Sequence, residues 1–492
     1  MTQLGADNYS AVTKCFGEVN SPGPVKGGGG EVGRVIGLIA AAVDDRSARG
    51  IAAAVSRLVT AGDLPVGARL PTVRDVAREL GVSPTTVSEA WRSLSRAGAI
   101  QTRGRSGSFV SAPVLPRQRL RYAQLHGLLT GVARDFSTGV PDHDLLPSVT
   151  ASLKRVGDAR LTTSYLDPAV LPPLERVLRQ RWPYPPDQLT VVDGALDALD
   201  RVTSTLVRFG DHVLVENPAF PPVLDLLESV GATVVGVPID ADGMCPDALG
   251  EALRTYDPVA VYLQPRAHNP TGVSMTARRA GELADALAAY PEVTVVEDDH
   301  AGDIATAPPV SLGTRLPDRT VHVAGFSKSH GPDLRLAALA GPGPLITAIN
   351  DRRLLGPGWS SRLLQAVLLD LLTDADAVAQ VAAAREVYAE RRAALLGALA
   401  ALGATATAAD GINLWLTVDD QQMAMLALAA HGIAVAPGAP FEVTGLGADH
   451  VRVTVGLIRD DFDALAAILA SAAGASARGS GSRSRPHPRG WR

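Results

Sequence analysis

Cysteine is nearly missing from this 492-residue chain. Two residues, Cys15 and Cys245, cannot build a disulfide framework, and neither stands near a cluster of metal ligands. Both read as incidental thiols of a protein kept in a reducing cytosol. Long apolar runs are missing too: stretches such as Val35 to Val43 fall well short of the roughly 20 residues that a bilayer-spanning helix needs. The first residues include Asp7 and have no basic segment ahead of an apolar one, so no secretory signal is expected. These absences place the protein in the cytoplasm, without a membrane partner and without a metal site.

Net charge is also small, −5 overall, but it is unevenly spread. Residues 46–112 hold ten arginines against Asp63, Asp75, Glu79 and Glu89, a net +6 that leaves the rest of the chain at −11. A small nucleic-acid-binding module joined to an acidic effector domain has this asymmetry. A chain of this length is too long for one core, so two or three domains are expected.

Residues 1–34 show no periodicity and include the run Gly27 to Gly30, so 1–45 is expected to be a flexible leader. Residues 46–112 form the basic module. Pro113, Pro116 and the basic stretch Arg117, Arg119, Arg121 mark 113–134 as an interdomain linker. Over 135–472 short apolar runs alternate with helix-period segments, at Val213–Val215, Val234–Val237, Val259–Leu263, Val293–Val296 and Val321–Val323. That alternation predicts an α/β domain with a mostly parallel sheet covered by helices. Residues 473–492 are Ser, Gly, Arg and Pro without an acidic residue and are expected to be a disordered basic tail.

Within the basic module, Thr72 is a candidate helix cap with Asp75 three residues on, and the helix should run to Leu80. Gly81 supplies a turn, Ser83 caps a second helix, and Pro84 occupies its first position, where a missing N–H costs nothing. Val87, Ala90, Trp91 and Leu94 follow the i, i+3, i+4, i+7 rule and should face a core, leaving Thr85, Ser88, Glu89 and Arg92 outward. Two helices joined by a tight turn are the shape whose second member enters the major groove of double-stranded DNA. Ile100 to Val110 reads as a hairpin wing with Arg103-Gly104-Arg105-Ser106-Gly107 at its tip, suited to phosphates or a minor groove. Leu70-Pro71-x-x-Arg74, Gly81-Val82-Ser83-Pro84-Thr85-Thr86-Val87, Trp91-x-x-Leu94 and Arg103-x-x-x-Gly107-x-Phe109-Val110 resemble the GntR-type winged helix-turn-helix, α-helical with a small β wing. The candidate DNA-contacting residues are Arg74, Ser83, Thr85, Thr86, Ser88, Arg92, Arg103 and Arg105. Pro84 departs from the family, which usually has Arg there.

Three loops at strand ends carry chemistry in the larger domain. Lys328 follows the strand Val321–Val323 in Gly325-Phe326-Ser327-Lys328, with Arg335 seven residues on. An amine that forms a Schiff base needs an anchored phosphate nearby, and Ser327 and Arg335 offer a hydroxyl and a fork of N–H donors. Glu297-Asp298-Asp299-His300 and His268-Asn269-Pro270-Thr271-Gly272 end two other strands. A carboxylate can keep a pyridine nitrogen protonated, and an amide can reach a phenolic oxygen. Polar groups at the carboxyl ends of parallel strands are where such folds bind ligands.

In this order the three motifs resemble the fold-type I, pyridoxal-phosphate-dependent aminotransferases over nearly all of 135–472. The resemblance implies pyridoxal 5'-phosphate as cofactor and a catalytic role for Lys328 as the amine that holds it. It further implies that Asp298 pairs with the pyridine nitrogen, Asn269 contacts the phenolic oxygen, and Ser327 and Arg335 hold the phosphate. Phe220 matches the ring-stacking aromatic, and Tyr165 a tyrosine that reaches the neighbouring subunit's phosphate. Arg452, in Val451-Arg452-Val453, matches the arginine that clamps a substrate or effector carboxylate. Some positions depart. His300 stands where these enzymes have Tyr, Ala195 and Leu196 replace Ser and Gln at the phosphate-binding helix, and Gly325 lacks a hydroxyl common in relatives.

A GntR-like module followed by an aminotransferase-like domain is the pattern of the MocR regulators. That resemblance implies an operator-binding transcription regulator responsive to pyridoxal phosphate, sometimes with an amino-acid effector, working as a head-to-tail homodimer. The loops at 268–272 and 297–300 look closer to the branch tied to vitamin B6 handling than to the GABA-sensing one. The alternatives are a working aminotransferase with a DNA-binding appendage, and a DNA-binding protein whose large domain has lost its cofactor and only dimerises.

Overall fold

The computed structural model describes residues 30–96, 99–102, 107–111, 120–125, 133–157 and 164–476. They fall into two compact units, 1–114 and 115–492. No described helix is long and apolar enough to cross a membrane, and the described residues contain no cluster able to hold a metal ion.

The first unit contains helices α1 (Gly30–Ala42), α2 (Ala48–Thr60), α3 (Val73–Leu80) and α4 (Pro84–Arg96) and the antiparallel pair β1 (Ile100–Thr102) and β2 (Ser108–Val110). Helix α1 corrects the expected flexible leader at residues 30–42, while residues 1–29 of that expectation lie outside the described residues. Val35 and Ile39, one turn apart, are buried on one of its faces, and burial of such side chains outweighs the weak helix preference of a Gly-flanked segment. Helix α3 starts where Thr72 predicts: its Oγ1 accepts the Asp75 N–H at 3.3 Å and donates to the Asp75 carboxylate at 2.6 Å. It ends on Gly81 at φ 64°, a left-handed conformation that glycine adopts freely.

In α4, Ser83 Oγ accepts the Thr86 N–H at 3.1 Å, and Val87, Ala90, Trp91 and Leu94 are buried as the spacing requires. The hairpin pairs Ile100 with Val110 and Thr102 with Ser108. Its tip, with Arg103 and Arg105, lies outside the described residues.

In the second unit the 113–134 stretch expected as a linker includes a helix, α5 (Arg121–Leu125), fixed to its own unit. The Asp225 carboxylate accepts the Arg121 and Tyr122 N–H groups at 3.1 Å each, capping α5, and Arg121 pairs with Glu228 at 2.6 Å. Short strand β3 (Arg134–Asp135) follows, then helices α6 (Val149–Val156) and α7 (Pro172–Arg181). The large sheet is built from β4 (Gln188–Val192), β5 (His212–Asn217), β6 (Thr233–Asp240), β7 (Gly243–Met244), β8 (Ala260–Leu263), β9 (Thr294–Asp299), β10 (Thr320–Gly325) and β11 (Ala337–Gly341). Its order is β4-β11-β10-β9-β8-β5-β6-β7, with β5, β6, β8, β9 and β10 parallel and β11 antiparallel to both neighbours. The strand runs read from the sequence lie on β5, β6, β8, β9 and β10.

Helices α8 (Ala195–Leu206), α9 (Pro221–Ser229), α10 (Pro246–Tyr256), α11 (Ala277–Leu287), α12 (Gly343–Leu354) and α13 (Arg362–Thr373) cover the sheet. α8, α9 and α12 bury Leu199, Leu224 and Ile346 on one face, while α10 and α11 bury Leu249 and Leu283 on the other. The long helix α14 (Ala375–Ala401) then leads to a four-stranded antiparallel sheet of β12 (Ala406–Thr407), β13 (Leu414–Val418), β15 (Ala436–Pro437) and β16 (Asp449–Val453). Between them, α15 (Gln421–Ala430) and β14 (Ile433–Ala434) bring the chain back to pair with β3, and α16 (Phe462–Ala473) closes the unit. Residues 477–492 of the expected basic tail lie outside the described residues.

Candidate functional site

Parallel strands deliver their last residues to one edge of a sheet, and here β5, β8, β9 and β10 end around Asp298, Gln264 and Lys328. Asp298, the last residue but one of β9, is buried on the face toward α8. Its Oδ2 accepts the Gln264 side-chain N–H at 2.8 Å, and its Oδ1 is buried without a partner. Burial is the main force on this carboxyl and raises its pKa, with His300 opposing. A buried acceptor left unpaired is costly, so a ligand donor facing Oδ1 fits the site.

Lys328 follows β10, and its ammonium donates to the Gly139 carbonyl. Burial, with the Arg452 guanidinium next in weight, lowers its pKa to about 8, against a smaller opposing pull from Asp298. Arg452 in β16 is only 2% exposed. It donates to the Ser137 carbonyl and, at 3.2 Å, to Asn269 Oδ1, and lies 5.4 Å over the Phe441 ring. Its Nε has no partner, and burial lowers its pKa to about 10. Gly139 is at φ 64°, and a Cβ there would come within 3.3 Å of the same guanidinium.

Asn269 is held from both sides. Its backbone N–H donates to Gln264 Oε1 at 2.8 Å, while its Oδ1 accepts from Arg452 and from Asn413 at 3.4 Å. This commits the oxygen and leaves the Nδ2 donor for a ligand. His300 donates its Nε2–H to the Ala267 carbonyl at 3.0 Å, and burial, the largest influence, lowers its pKa. The ring is therefore turned to backbone.

Backbone N–H donors gather at the start of α8. Gly194 precedes it at φ 106°, and Ala195 and Leu196 present the first-turn N–H groups of a 12-residue helix. A Cβ added to Gly194 would stand 3.6 Å from the Arg335 guanidinium carbon, an ordinary contact, so the backbone angle and not lack of space calls for glycine here. Arg335 is exposed and itself adopts φ 49°. Ser327 is half-buried next to Lys328, and Phe220 is half-buried against the cluster beneath α8 and α9. Tyr165 stands apart from this group, 88% exposed, with its ring 6.1 Å from that of Trp359.

The residues named from sequence thus divide. Asp298, Asn269 and Arg452 are buried and Lys328 and His300 half-buried in one neighbourhood, joined by the Arg452–Asn269 bond and by the charges of Asp298 and Arg452 acting on Lys328, while Ser327 is next in the chain to Lys328, Arg335 lies by Gly194, and Tyr165 faces solvent. Sequence reasoning missed Gln264, which bonds both Asp298 and Asn269 and whose N–H donates to Glu216 at 2.7 Å. Its signal was position alone, as the first residue after β8. Arg74 on α3, Ser83 just before α4, and Thr85 and Arg92 on α4 are exposed, while Thr86 and Ser88 are half-buried and Ser83 and Thr86 are joined at 2.8 Å.

Residues 134–469 match the family of class I and II aminotransferases, and residues 47–110 match bacterial regulatory proteins of the gntR family. The chain is 33% identical over 434 residues to the vitamin B6 salvage pathway transcriptional repressor PtsJ of Salmonella typhimurium, covering 86% of this chain and 98% of that protein. It is 28% identical to the HTH-type transcriptional regulator TauR of Rhodobacter capsulatus, over 79% and 88% of the two chains. Among solved structures, kynurenine aminotransferase of Pyrococcus horikoshii superposes with a TM-score of 0.63 at 21% identity, covering 70% of this chain and 90% of the other. Aspartate aminotransferase of Thermus thermophilus gives 0.62 at 24%, covering 69% and 91%.

Proposed function

The chain belongs to the class I and II aminotransferase family and carries a gntR-family module ahead of it, the MocR architecture, and from that premise we propose that it is a transcription regulator whose larger unit senses pyridoxal 5'-phosphate. The observation that carries the proposal is the buried, unpaired Asp298 Oδ1, on a carboxylate near enough for its charge to act on Lys328. Pyridoxal phosphate supplies an aldehyde for the lysine amine and a pyridine ring that acts as an electron sink when its nitrogen is protonated.

The residues would divide the work as follows. Lys328, with its pKa pulled down to about 8, offers an amine that is more often neutral at physiological pH than an exposed lysine. Asp298 accepts the pyridine N–H through Oδ1, with Gln264 holding Oδ2. Asn269 donates Nδ2 to the phenolic oxygen. The α8 amides with Arg335 and Ser327 bind phosphate, and Phe220 backs the ring. Arg452 holds the carboxylate of an amino-acid effector, for which Ser137 and Asn269 fix its fork. Tyr165, exposed in a single chain, is available to a second subunit in a homodimer.

The gntR module binds double-stranded DNA through α4, with Thr85, Ser88 and Arg92 toward base edges and Arg74 toward phosphate. Arg103 and Arg105 of the wing would add phosphate or minor-groove contacts. The likeness to a vitamin B6 salvage repressor supports regulation of B6 metabolism as the role. Catalysis is the second reading, favoured by Arg452 standing beside Lys328. The purified protein should show a visible absorption band that Lys328→Ala abolishes, with no steady keto-acid production from a panel of amino acids. An unchanged band in the variant would show that the wrong lysine is assigned, and sustained turnover would favour the enzyme.

A further inference from the structure

The positive charge of the first unit is not neutralised evenly. Arg57 lies 3.8 Å from Asp44 and donates to the Ala42 carbonyl at 2.8 Å, and Arg78 lies 3.5 Å from Asp75. Arg46 and Arg69 differ. Both are exposed, and among the described residues neither guanidinium has a hydrogen bond or an ion pair.

The backbone fixes where each one stands. Arg46 lies between Asp45 and Ser47, the cap of α2, whose Oγ accepts the Gly50 N–H at 3.0 Å. The Asp45 carboxylate accepts the Ser47 N–H at 2.9 Å and its hydroxyl at 2.6 Å. A Cβ at Gly50 would collide with the Asp45 carbonyl, so this turn closes tightly. The two acids next to Arg46 are thus engaged elsewhere, Asp45 by Ser47 and Asp44 by Arg57. Its own guanidinium reaches the turn between α3 and α4, where a Cβ added to Gly81 would stand 3.7 Å from Nη1.

Arg69 lies on a segment that pairs with β2. The Gly67 and Leu70 N–H groups donate to the Val110 and Ser108 carbonyls, and the Val110 N–H donates to the Ala68 carbonyl, each at 2.9 Å. Side chains alternate along such a segment: Leu70 is buried, and Arg69 faces solvent. Its Nε lies 3.4 Å from the place of a Cβ on Gly107, at the start of the returning wing strand.

The neighbouring α4 is short of cations where they would be needed. From Pro84 to Trp91 its first two turns hold no lysine or arginine and one exposed acid, Glu89. A duplex presents one negative charge per roughly 1.7 Å of its axis, and those turns bring nothing to offset it. An unpaired guanidinium gives a phosphate charge-assisted hydrogen bonds without first giving up a carboxylate.

We propose that Arg46 and Arg69 grip the phosphate backbone of double-stranded DNA, Arg46 beside the turn that leads into α4 and Arg69 at the root of the wing. They lie on neither α4 nor the wing tip, and their contacts position the duplex without reading its sequence. The inference rests on the DNA binding of the function proposed above.

The test is a titration of the full chain into a fluorescein-labelled duplex of mixed sequence, about 30 base pairs long, repeated between about 50 and 200 mM salt. Each phosphate neutralised adds about 0.9 to the slope of log affinity against log salt. Arg46→Ala and Arg69→Ala should each lower that slope by about 0.9 for each chain bound, so that the affinity lost across this range shrinks by about threefold. Arg46→Lys and Arg69→Lys keep the charge and should hold the wild-type slope even where affinity falls. Arg57→Ala and Arg78→Ala should change it far less. Arg46→Gln and Arg69→Gln serve where alanine prevents folding. An unchanged slope in a neutral variant would overturn the assignment of that residue. Equal losses for all four arginines would overturn the proposal, because only net charge would then be felt, and so would a slope that the folded lysine variants fail to restore. A wild-type chain that binds the duplex at no salt concentration would overturn the DNA-binding reading, and this inference with it.

Discussion

At the scale of single residues, the site is governed by burial more than by direct ion pairing. Lys328 has no carboxylate bonded to it, and loss of water around its ammonium, helped by Arg452, lowers its pKa to about 8. A lowered lysine pKa means that the neutral, nucleophilic amine grows as pH rises through about 8 instead of through the ordinary value near 10.5. At pH 7 about a tenth of the chains would then carry it, against well under 0.1% for an exposed lysine. Mixing cofactor-free protein with pyridoxal phosphate and following the visible band should give a capture rate that climbs about tenfold from pH 6 to 7 and levels above 8. A rate still climbing at pH 10 would contradict the assigned environment.

Arg335 and Arg452 differ in the same physical terms. The first is exposed beside the α8 amides, where a phosphate dianion gains charge-assisted hydrogen bonds worth about 1.5–3 kcal/mol. The second is buried and already bonded to Ser137 and Asn269. Arg335→Ala should weaken cofactor binding by roughly tenfold or more, and Arg452→Ala should affect it less while removing any amino-acid response. A cofactor titration giving the reverse ranking would exchange their roles. Lys328, Asp298, Asn269 and Arg335 were legible because charge or motif marks them. Gln264 was not, since a neutral glutamine after an apolar strand looks like any loop residue until its two bonds are seen. His300 could be seen to replace a tyrosine, but only its bond to the Ala267 carbonyl tells where the ring turns.

At the scale of elements, α3 and α4 follow from local rules: a Thr72 cap, a left-handed Gly81 and an apolar stripe ending at Leu94. Thr85 and Arg92 are exposed on the side away from that stripe. Thr85→Ala and Arg92→Ala should therefore cost DNA affinity by about 1–3 kcal/mol each while leaving the visible band and the melting temperature in place. Gel-shift titrations showing full affinity would remove α4 from the interface. Helix α1 was illegible because the glycine run before it masks a two-turn apolar pattern, Val35 and Ile39, whose partners lie on α2 and α3 and are known only once the unit is assembled. Ile39→Ala should lower stability by about 2 kcal/mol or more, and Arg34→Ala by less than about 0.5. Equal effects in chemical denaturation would mean that α1 is not part of the core. The large sheet was legible from its five apolar runs; the docking of α5 was not, because it depends on Asp225, about a hundred residues away.

At the scale of the whole molecule, a basic module and an acidic domain on one chain make a sensor only when the state of one alters the other. Coupling between two sites is commonly worth about 1–3 kcal/mol, several-fold to about a hundredfold in affinity, and it is reciprocal. Whatever pyridoxal phosphate does to operator binding, operator DNA must do to pyridoxal phosphate binding. The most direct measurement is an operator titration at one fixed salt concentration, with and without the cofactor, in the wild type and in Lys328→Ala. The regulator reading predicts a several-fold or larger shift in affinity, or a changed footprint, in the wild type, and little or none in the variant. Identical curves and footprints in all four titrations would contradict it.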